Sequence, residues 1–262
     1  MRIVVKVGTS TLAHPGGRMN IRRVELMCKV LSDLKNAGNQ VVLVSSGAIG
    51  MGVGKLGLPG RPEDMPGKQA AAAVGQCELM YTYDKLFGEY NHTVAQILLT
   101  ADDIQDPRRS CHVHDTLERL LGLNVLPIVN ENDAVSIDEI GVHTTIGEND
   151  SLSAIVAKLI RADVLVLLSD IDGLYTADPR KDPGAELIPE VREITPEILA
   201  LAGGAGSALG SGGMATKLKA AQIATDAGID MLITNGEKPE GLYALLEGGS
   251  VGTRFVGRGV RV

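Results

Sequence analysis

A glycine-rich stretch that leads into a lysine-bearing helix is the part of the sequence that points most directly to chemistry. Six of the eleven residues from Gly203 to Gly213 are glycine, and from Met214 the chain becomes a good helix former. Such a loop lets backbone N–H groups approach an anion, and the dipole of the following helix favours negative charge at that end. Lys217, one turn into the helix, adds a full positive charge. The stretch therefore predicts a polyphosphate site; the simpler alternative is a flexible surface loop before an ordinary amphipathic helix.

Two standard nucleotide motifs do not account for this stretch. The order Thr216-Lys217 differs from the Gly-Lys-Ser/Thr ending of a Walker A loop. The segment GVGKLG at 52–57 has the spacing of a dinucleotide fingerprint, but it runs into a Pro- and Gly-rich segment at 57–67, which we expect to be a loop rather than a helix. We therefore reject a dinucleotide oxidoreductase and expect another nucleotide fold.

Polar residues also stand at the ends of predicted strands. Lys6 lies near the exit of a β-branched run, where it is either a solvated edge-strand lysine or a functional one, because lysine is rarely buried without a partner. Ser46 follows a second strand, within a turn of small residues at 46–50. Asp133 closes the polar run 130–133 after a fourth strand, and Asp150 opens a helix, where an acidic residue can serve simply as a cap.

The elements that must position these residues alternate between strand and helix. This order predicts a three-layer α/β/α sandwich with a mostly parallel central sheet, and a ligand over the carboxyl ends of its strands. We expect one domain with two lobes, 1–160 and 161–262. The predicted strands are 2–7, 40–45, 93–99, 124–129, 164–169 and 231–234; the helices are 20–37, 68–89, 112–122, 152–162 and 214–227; a polar turn is expected at 101–110, and hairpins at 134–148 and 250–262.

Composition narrows the class of protein. The chain of 262 residues is 44% hydrophobic and 22% charged, which is typical of a globular protein, and its net charge of −7 argues against nucleic acid as a partner. Three scattered cysteines fit a reducing cytoplasm, and we expect neither a signal peptide nor a membrane span. The pair His112 and His114 lacks a third ligand, so we assign no protein metal site.

Seven segments, in order along nearly the whole chain, resemble motifs of the amino acid kinase family. Within that family, KVGTS, NENDAV and LYTADPR resemble the corresponding segments of the branch that acts on free glutamate. Many members of that branch carry an additional C-terminal PUA domain, and we expect this chain to represent the form without it. The segments are KVGTS (6–10), VSSGAIG (44–50), NENDAVS (130–136), GENDSLSA (147–154), SDIDGLYTADPR (169–180), GSGGMATKLKAA (210–221) and SVGTRF (250–255).

The resemblance implies a reaction and its partners. ATP would phosphorylate the γ-carboxylate of L-glutamate to give γ-glutamyl phosphate, the first step of proline biosynthesis. Mg²⁺ would be held mainly by ATP oxygens. Proline is the expected feedback inhibitor, and a homo-oligomer, dimer or tetramer, is expected to form through the 85–122 face. A carboxylate with a reference pKa of about 4.3 is already ionised at neutral pH, so the reaction needs no general base.

The resemblance also implies roles for individual residues. Lys6 would contact the transferring phosphoryl group, Lys217 would contact the phosphates on the leaving side, and Asp150 would hold both lysines. Asp133 would pair with the substrate ammonium, while Ser46 and Asn149 would donate hydrogen bonds to carboxylate oxygens. The implied ATP-binding set is Lys6, Ser169, Asp170, Ser211, Gly212, Gly213, Met214, Ala215, Thr216 and Lys217.

Two alternatives stay open at this point. A kinase of the same fold could act on aspartate, N-acetylglutamate or carbamate, although Asp133 as an ammonium partner argues against an N-acylated substrate. A non-catalytic protein could use the fold to sense a nucleotide or an amino acid. Both lysines and Asp150 argue against this second alternative, because binding alone does not need that set.

Overall fold

One sheet of eight strands runs through the described part of the chain. The computed structural model describes residues 1–14, 17–135, 149–202, 213–246, 249 and 251–258. The spatial order is β3-β4-β2-β1-β5-β7-β8-β6, and all neighbouring pairs are parallel except β7 with β8. The strands are Arg2–Val7 (β1), Gln40–Ser45 (β2), Val94–Leu99 (β3), Leu126–Glu131 (β4), Val164–Ser169 (β5), Glu190–Val191 (β6), Asp230–Asn235 (β7) and Thr253–Phe255 (β8).

Helices cover both faces of this sheet. They are Thr9–Leu12 (α1), Ile21–Asn36 (α2), Ala48–Leu56 (α3), Met65–Gly88 (α4), Ala101–Gln105 (α5), Pro107–Gly122 (α6), Asn149–Leu159 (α7), Pro196–Ala200 (α8), Met214–Asp226 (α9) and Tyr243–Leu246 (α10), with a 3-10 turn at Pro239–Leu242. None of the described helices is both long enough and apolar enough to cross a lipid bilayer.

The alternation of side chains along β1 shows how the three layers are built. Val5 and its neighbours two positions away face a core that includes residues of α2 and α4, whereas Val4 faces a second core that includes residues of α7 and α9. Side chains two residues apart lie on the same face of a strand, so Lys6 shares the face of Val4. The predicted α/β/α sandwich is therefore confirmed, and Lys6 points toward α7 and α9.

The β-branched runs predicted the central strands correctly. β1, β2 and β5 begin and end at the predicted residues, because a strand that is buried on both faces is a continuous apolar run. β1 pairs with β2 on one side and β5 on the other, so the sheet continues across the proposed lobe boundary. The division into two lobes itself stays a prediction.

The polar turn predicted at 101–110 is wrong, because two helices occupy this region. The Asp103 carboxylate accepts hydrogen bonds from the backbone N–H and the hydroxyl of Thr100, at 2.8 and 2.7 Å, which caps α5. The Asp106 carboxylate accepts hydrogen bonds from the next two backbone N–H groups after Pro107, both at 2.9 Å, and α6 follows. Polar residues here begin helices instead of forming a loop.

Three other boundaries differ from the prediction. The small-residue turn after β2 is short, since α3 begins at Ala48 and includes most of GVGKLG, which is therefore not a strand-to-helix loop. β4 runs to Glu131, so Asn130 lies within the strand. β8 pairs with β7 and β6, not within a C-terminal hairpin of 250–262. Residues 259–262 and most of the hairpin predicted at 134–148 lie outside the described residues.

Candidate active site

Lys6 lies in the centre of the sheet and not at its edge. Its strand, β1, has a parallel neighbour on each side, and the lysine is only 9% exposed. A lysine in this position needs compensating negative charge. The solvated alternative for Lys6 is therefore wrong.

Asp150 supplies that charge and joins two lysines from different elements. Its Oδ1 lies 2.7 Å from Nζ of Lys6, and its Oδ2 lies 3.1 Å from Nζ of Lys217. Asp150 is 2% exposed and Lys217 is 8% exposed. The Thr216 hydroxyl lies 2.8 Å from Oδ2 of the same carboxylate. Asp150 thus connects β1 and α9 across the start of α7.

The pKa of Asp150 reflects this arrangement. Burial would raise the pKa of the carboxyl group, but the charges of Lys6 and Lys217, with hydrogen bonds from Lys6 and Thr216, outweigh burial and lower the pKa to about 2. The carboxylate is therefore ionised at neutral pH. Two ammonium groups and one carboxylate carry one net positive charge, which suits the binding of a phosphoryl group.

The first turn of α9 adds backbone donors to this positive cluster. Gly213 is the N-cap residue, and it has no side chain to satisfy the N–H groups of the turn that follows. Thr216 and Lys217 stand in that turn, next to Asp150. Free N–H groups at a helix start, combined with a lysine, form a seat for phosphate oxygens. Ser211 and Gly212, and the rest of the glycine-rich loop to 203, lie outside the described residues.

The residues predicted to bind glutamate lie at the ends of neighbouring strands. Nδ2 of Asn149 lies 3.0 Å from Oγ of Ser46 and 3.1 Å from both the carbonyl oxygen of Ser45 and Oδ1 of Asn130, so its two hydrogens are shared among three acceptors. Asn149 lies in contact with Ser46, and its predicted role as a donor to a substrate carboxylate stays a prediction.

Asp133 lies beside a cavity of about 680 Å³ between α4, β3 and the end of β4. Ala48, Gln76, Met80 and Gln96 also line this cavity. Burial raises the pKa of the Asp133 carboxyl group, and the nearby charge of Arg61 partly offsets this effect. A carboxylate that is costly to ionise alone is well suited to a cationic partner such as an ammonium group.

The comparison with known sequences identifies the fold family. A sequence model of the amino acid kinase family matches residues 1–235. The chain belongs to the amino acid kinase family. A relative from Clostridium perfringens (strain 13 / Type A), named glutamate 5-kinase, is 56% identical over 257 residues, which are 98% of this chain and 96% of the relative. A glutamate 5-kinase from Clostridium tetani (strain Massachusetts / E88) is 57% identical over 97% of this chain and 93% of its own length.

A solved structure of an amino acid kinase fold agrees with this membership. The isopentenyl phosphate kinase of T. acidophilum, in a product complex, superposes with a TM-score of 0.68 at 20% identity, over 97% of this chain and 100% of that one. At this level of identity the similarity concerns the fold alone.

The structure brings together the lysine pair, Asp150 and Thr216, and separately Ser46 with Asn149. Ser169 and Asp170 lie at the end of β5, next to β1, on the same edge of the sheet. Asp170 accepts a hydrogen bond from Arg180 at 2.8 Å, which orders the segment after the strand. The contributions of these two residues and of Met214 and Ala215 to nucleotide binding stay predictions.

Sequence reasoning missed two members of the polar network at the amino-acid end of the site. Asn130 was within a segment that was singled out, but no role followed from it. Gln76 lies in a long Ala-rich helix where nothing in the sequence marks it. Nδ2 of Asn130 donates to Oε1 of Gln76 at 2.8 Å, a contact that depends on how α4 packs against β4.

No three Asp, Glu, His or Cys side chains come together as a metal site in the described ranges. Both oxygens of Asp150 are engaged, by Lys6 on one side and by Lys217 and Thr216 on the other.

Proposed function

We propose that this protein transfers the γ-phosphoryl group of ATP to the γ-carboxylate of L-glutamate and so makes γ-glutamyl phosphate, the first step of proline biosynthesis. The observation that carries the proposal is the buried Lys6–Asp150–Lys217 cluster, in which Asp150 directly follows Asn149, the residue that contacts Ser46. Relatives named glutamate 5-kinase align with nearly the whole chain, which supports glutamate as the acceptor.

The reaction requires positive charge near the phosphates and correct positioning of the two substrates, and it does not require a general base. An oxygen of the γ-carboxylate forms a bond to the γ-phosphorus, the bond from that phosphorus to the β,γ-bridging oxygen breaks, and ADP leaves with the electron pair. The nucleophile is ionised at neutral pH, so no proton has to be removed. The barrier lies in bringing two anions together and in stabilising the charge of a loose transition state.

The two lysines meet this need from opposite sides of the transferred group. Lys6, on the central strand, is the contact for the transferring phosphoryl group, and Lys217, in the first turn of α9, is the contact for the phosphates on the leaving side. Asp150 holds both ammonium groups in place before substrates arrive, so little reorganisation is needed during the transfer. Lys6 therefore depends on Asp150 for its position.

The proposed partners of the protein are Mg²⁺ with ATP, glutamate, proline and further copies of this chain. Mg²⁺, held mainly by ATP oxygens, would neutralise part of the phosphate charge. Glutamate binds through its ammonium at Asp133 and through a carboxylate at Ser46. Proline acts as feedback inhibitor, and the chain forms a homo-oligomer through the 85–122 face in a cytoplasmic setting. These last features rest on family resemblance alone.

Trapping the product tests the proposal. An acyl phosphate reacts with hydroxylamine, so a mixture of protein, ATP, Mg²⁺, glutamate and hydroxylamine should accumulate γ-glutamyl hydroxamate in step with ADP. The same mixture without glutamate is the control. ADP release without hydroxamate, or hydroxamate formed equally with Lys217→Ala, would refute a phosphoryl transfer to glutamate at this site.

A further inference from the structure

We infer that Gln76 is a positioning residue: it accepts a hydrogen bond from the buried amide of Asn130 and so keeps Asn130, Asn149 and the Ser46 hydroxyl in contact. The inference rests on the proposed function, in which Ser46 faces a glutamate carboxylate. It concerns a residue on α4 that takes no part in the lysine cluster. The oxygen and nitrogen ends of each amide decide which groups donate and which accept.

Two backbone groups fix the orientation of the amides. The N–H of Glu131 can only donate, and it lies 2.9 Å from one side-chain atom of Asn130, which must therefore be Oδ1. The carbonyl oxygen of Ser45 can only accept, and it lies 3.1 Å from one side-chain atom of Asn149, which must therefore be Nδ2. These two assignments agree, because Nδ2 of Asn149 donates to Oδ1 of Asn130 at 3.1 Å.

These assignments also determine the donors and acceptors at Gln76 and Ser46, the two ends of the hydrogen-bond network. Nδ2 of Asn130 faces Gln76 at 2.8 Å, so Gln76 must present its oxygen. Nδ2 of Asn149 faces Oγ of Ser46 at 3.0 Å, so this hydroxyl accepts one hydrogen bond. A serine hydroxyl carries a single hydrogen. With Ser46 accepting from Asn149, and with no acceptor for it among the described residues, that hydrogen is available to a carboxylate oxygen.

Close packing of α4 holds Gln76 at the required place. A Cβ atom on Gly75, the preceding residue, would lie 1.8 Å from the carbonyl oxygen of Ala48 at the start of α3. Glycine at this position therefore allows the backbones of α3 and α4 to touch. Because Gln76 follows directly, its side chain reaches the end of β4 from a fixed helix.

Asn130 needs Gln76 because it is 1% exposed and cannot use water in its place. Without an acceptor from α4, the Asn130 amide loses the partner of its Nδ2. The buried amide then gains by rotating or shifting toward another acceptor, which loosens the contact with Asn149. The Ser46 hydroxyl is the last group in this hydrogen-bond network, so the direction of its O–H bond becomes less defined.

A double-mutant cycle with Ser46 tests the inference. Gln76→Met keeps the length of the side chain but removes the acceptor, and we expect the KM for glutamate to rise about three- to tenfold with little change in kcat or in the KM for ATP. Ser46→Ala should raise the same KM about tenfold. If Gln76 acts through Ser46, the double variant should resemble Ser46→Ala alone, because the effects are not additive.

Controls separate this role from general destabilisation and from failure of the proposed function. Ala70→Ser, at an exposed position of α4 outside the cavity lining, should behave as wild type. If Gln76→Met does not fold, as judged by its melting temperature, the cycle is run with Gln76→Ala. An unchanged KM for glutamate, additive effects in the double variant, or an equal rise in the KM for ATP would overturn the inference. A wild-type protein inactive with glutamate would instead overturn the proposed function.

Discussion

Nζ of Lys6 lies 2.7 Å from Oδ1 of Asp150, although one residue is on the central strand and the other opens a helix far along the chain. Both are nearly enclosed, so this ion pair exists before any substrate binds. Two partners buried together are costly to separate. Asp150 therefore holds the Lys6 ammonium group in a fixed position near the carboxyl end of β1, and it also holds Lys217 of α9.

Removal of Lys217 should affect turnover more than glutamate binding. We expect Lys217→Ala to lower kcat by about 100- to 1,000-fold, because it removes a charge aimed at the developing phosphate charge, while the KM for glutamate changes little. Lys219→Ala is the matched control, since Lys219 is exposed on the same helix. Steady-state ADP release measures both variants, and turnover near wild type in Lys217→Ala would remove the central role of this lysine.

Asp150→Asn should weaken both catalysis and folding. The change leaves two buried ammonium groups without their carboxylate, and removing one partner of such a set costs roughly 3–5 kcal/mol of the free energy of unfolding. Urea unfolding at pH 7 measures this loss. A variant as stable as the wild type would show that the carboxylate does not hold the lysines.

The same residue predicts how stability depends on pH. The pKa of Asp150 is about 2 in the folded protein and 3.8 ordinarily, so its contribution to stability is complete above about pH 4 and is lost as the pH falls toward 2. The difference in free energy of unfolding between wild type and Asp150→Asn should therefore shrink between pH 4 and pH 2. A constant difference over this range would contradict the low pKa.

Asp133→Asn should weaken glutamate binding and stabilise the fold. Loss of the carboxylate should raise the KM for glutamate roughly 10- to 100-fold, and should abolish the preference for glutamate over glutarate, which lacks the ammonium group. Because the folded pKa of Asp133 is raised, its ionised form costs stability at neutral pH, and Asp133→Asn should melt at a higher temperature. An unchanged KM together with an unchanged preference would refute the ammonium assignment.

Gly75→Ala should destabilise the fold through the contact between α3 and α4. The added methyl group would lie 1.8 Å from the carbonyl oxygen of Ala48, so the helices must separate, at a cost of about 1–3 kcal/mol or more. Gly88→Ala, on the same helix, meets no atom within 4 Å and should be neutral or slightly stabilising. Equal melting temperatures for the two variants would show that the close approach is not needed.

The strands and the lysine cluster could be predicted because their signals are local. β-branched runs gave the bounds of β1, β2 and β5, and Lys6 was conspicuous because a lysine is out of place in such a run. The partnership of Lys6 with Asp150 required the fold, since the family resemblance supplied it and the residues alone allowed a simple cap. Helix α5 is not predicted from the sequence because Asp103 is assigned to a polar turn at 101–110, although Asp103 caps the helix together with Thr100.

The amino-acid end of the site was harder to predict, because its contacts depend on the close packing of elements. Gln76 reaches Asn130 only because α4 touches α3 at Gly75, and no sequence pattern reveals that distance. The occupied amide of Asn149 has the same origin. Its hydrogens are used by Ser45, Ser46 and Asn130, which come from two neighbouring strands and the turn after one of them.

The lysine pair is proposed to promote transfer of the γ-phosphoryl group of ATP to a carboxylate of free glutamate. The most direct test measures ADP release with ATP and Mg²⁺ against glutamate, aspartate, N-acetylglutamate and carbamate, with Lys217→Ala as the parallel control. The account predicts release that depends on glutamate, is weak with the other three acceptors, and falls at least 100-fold in the control. Release that is fastest with another acceptor, or that persists in Lys217→Ala, would contradict it.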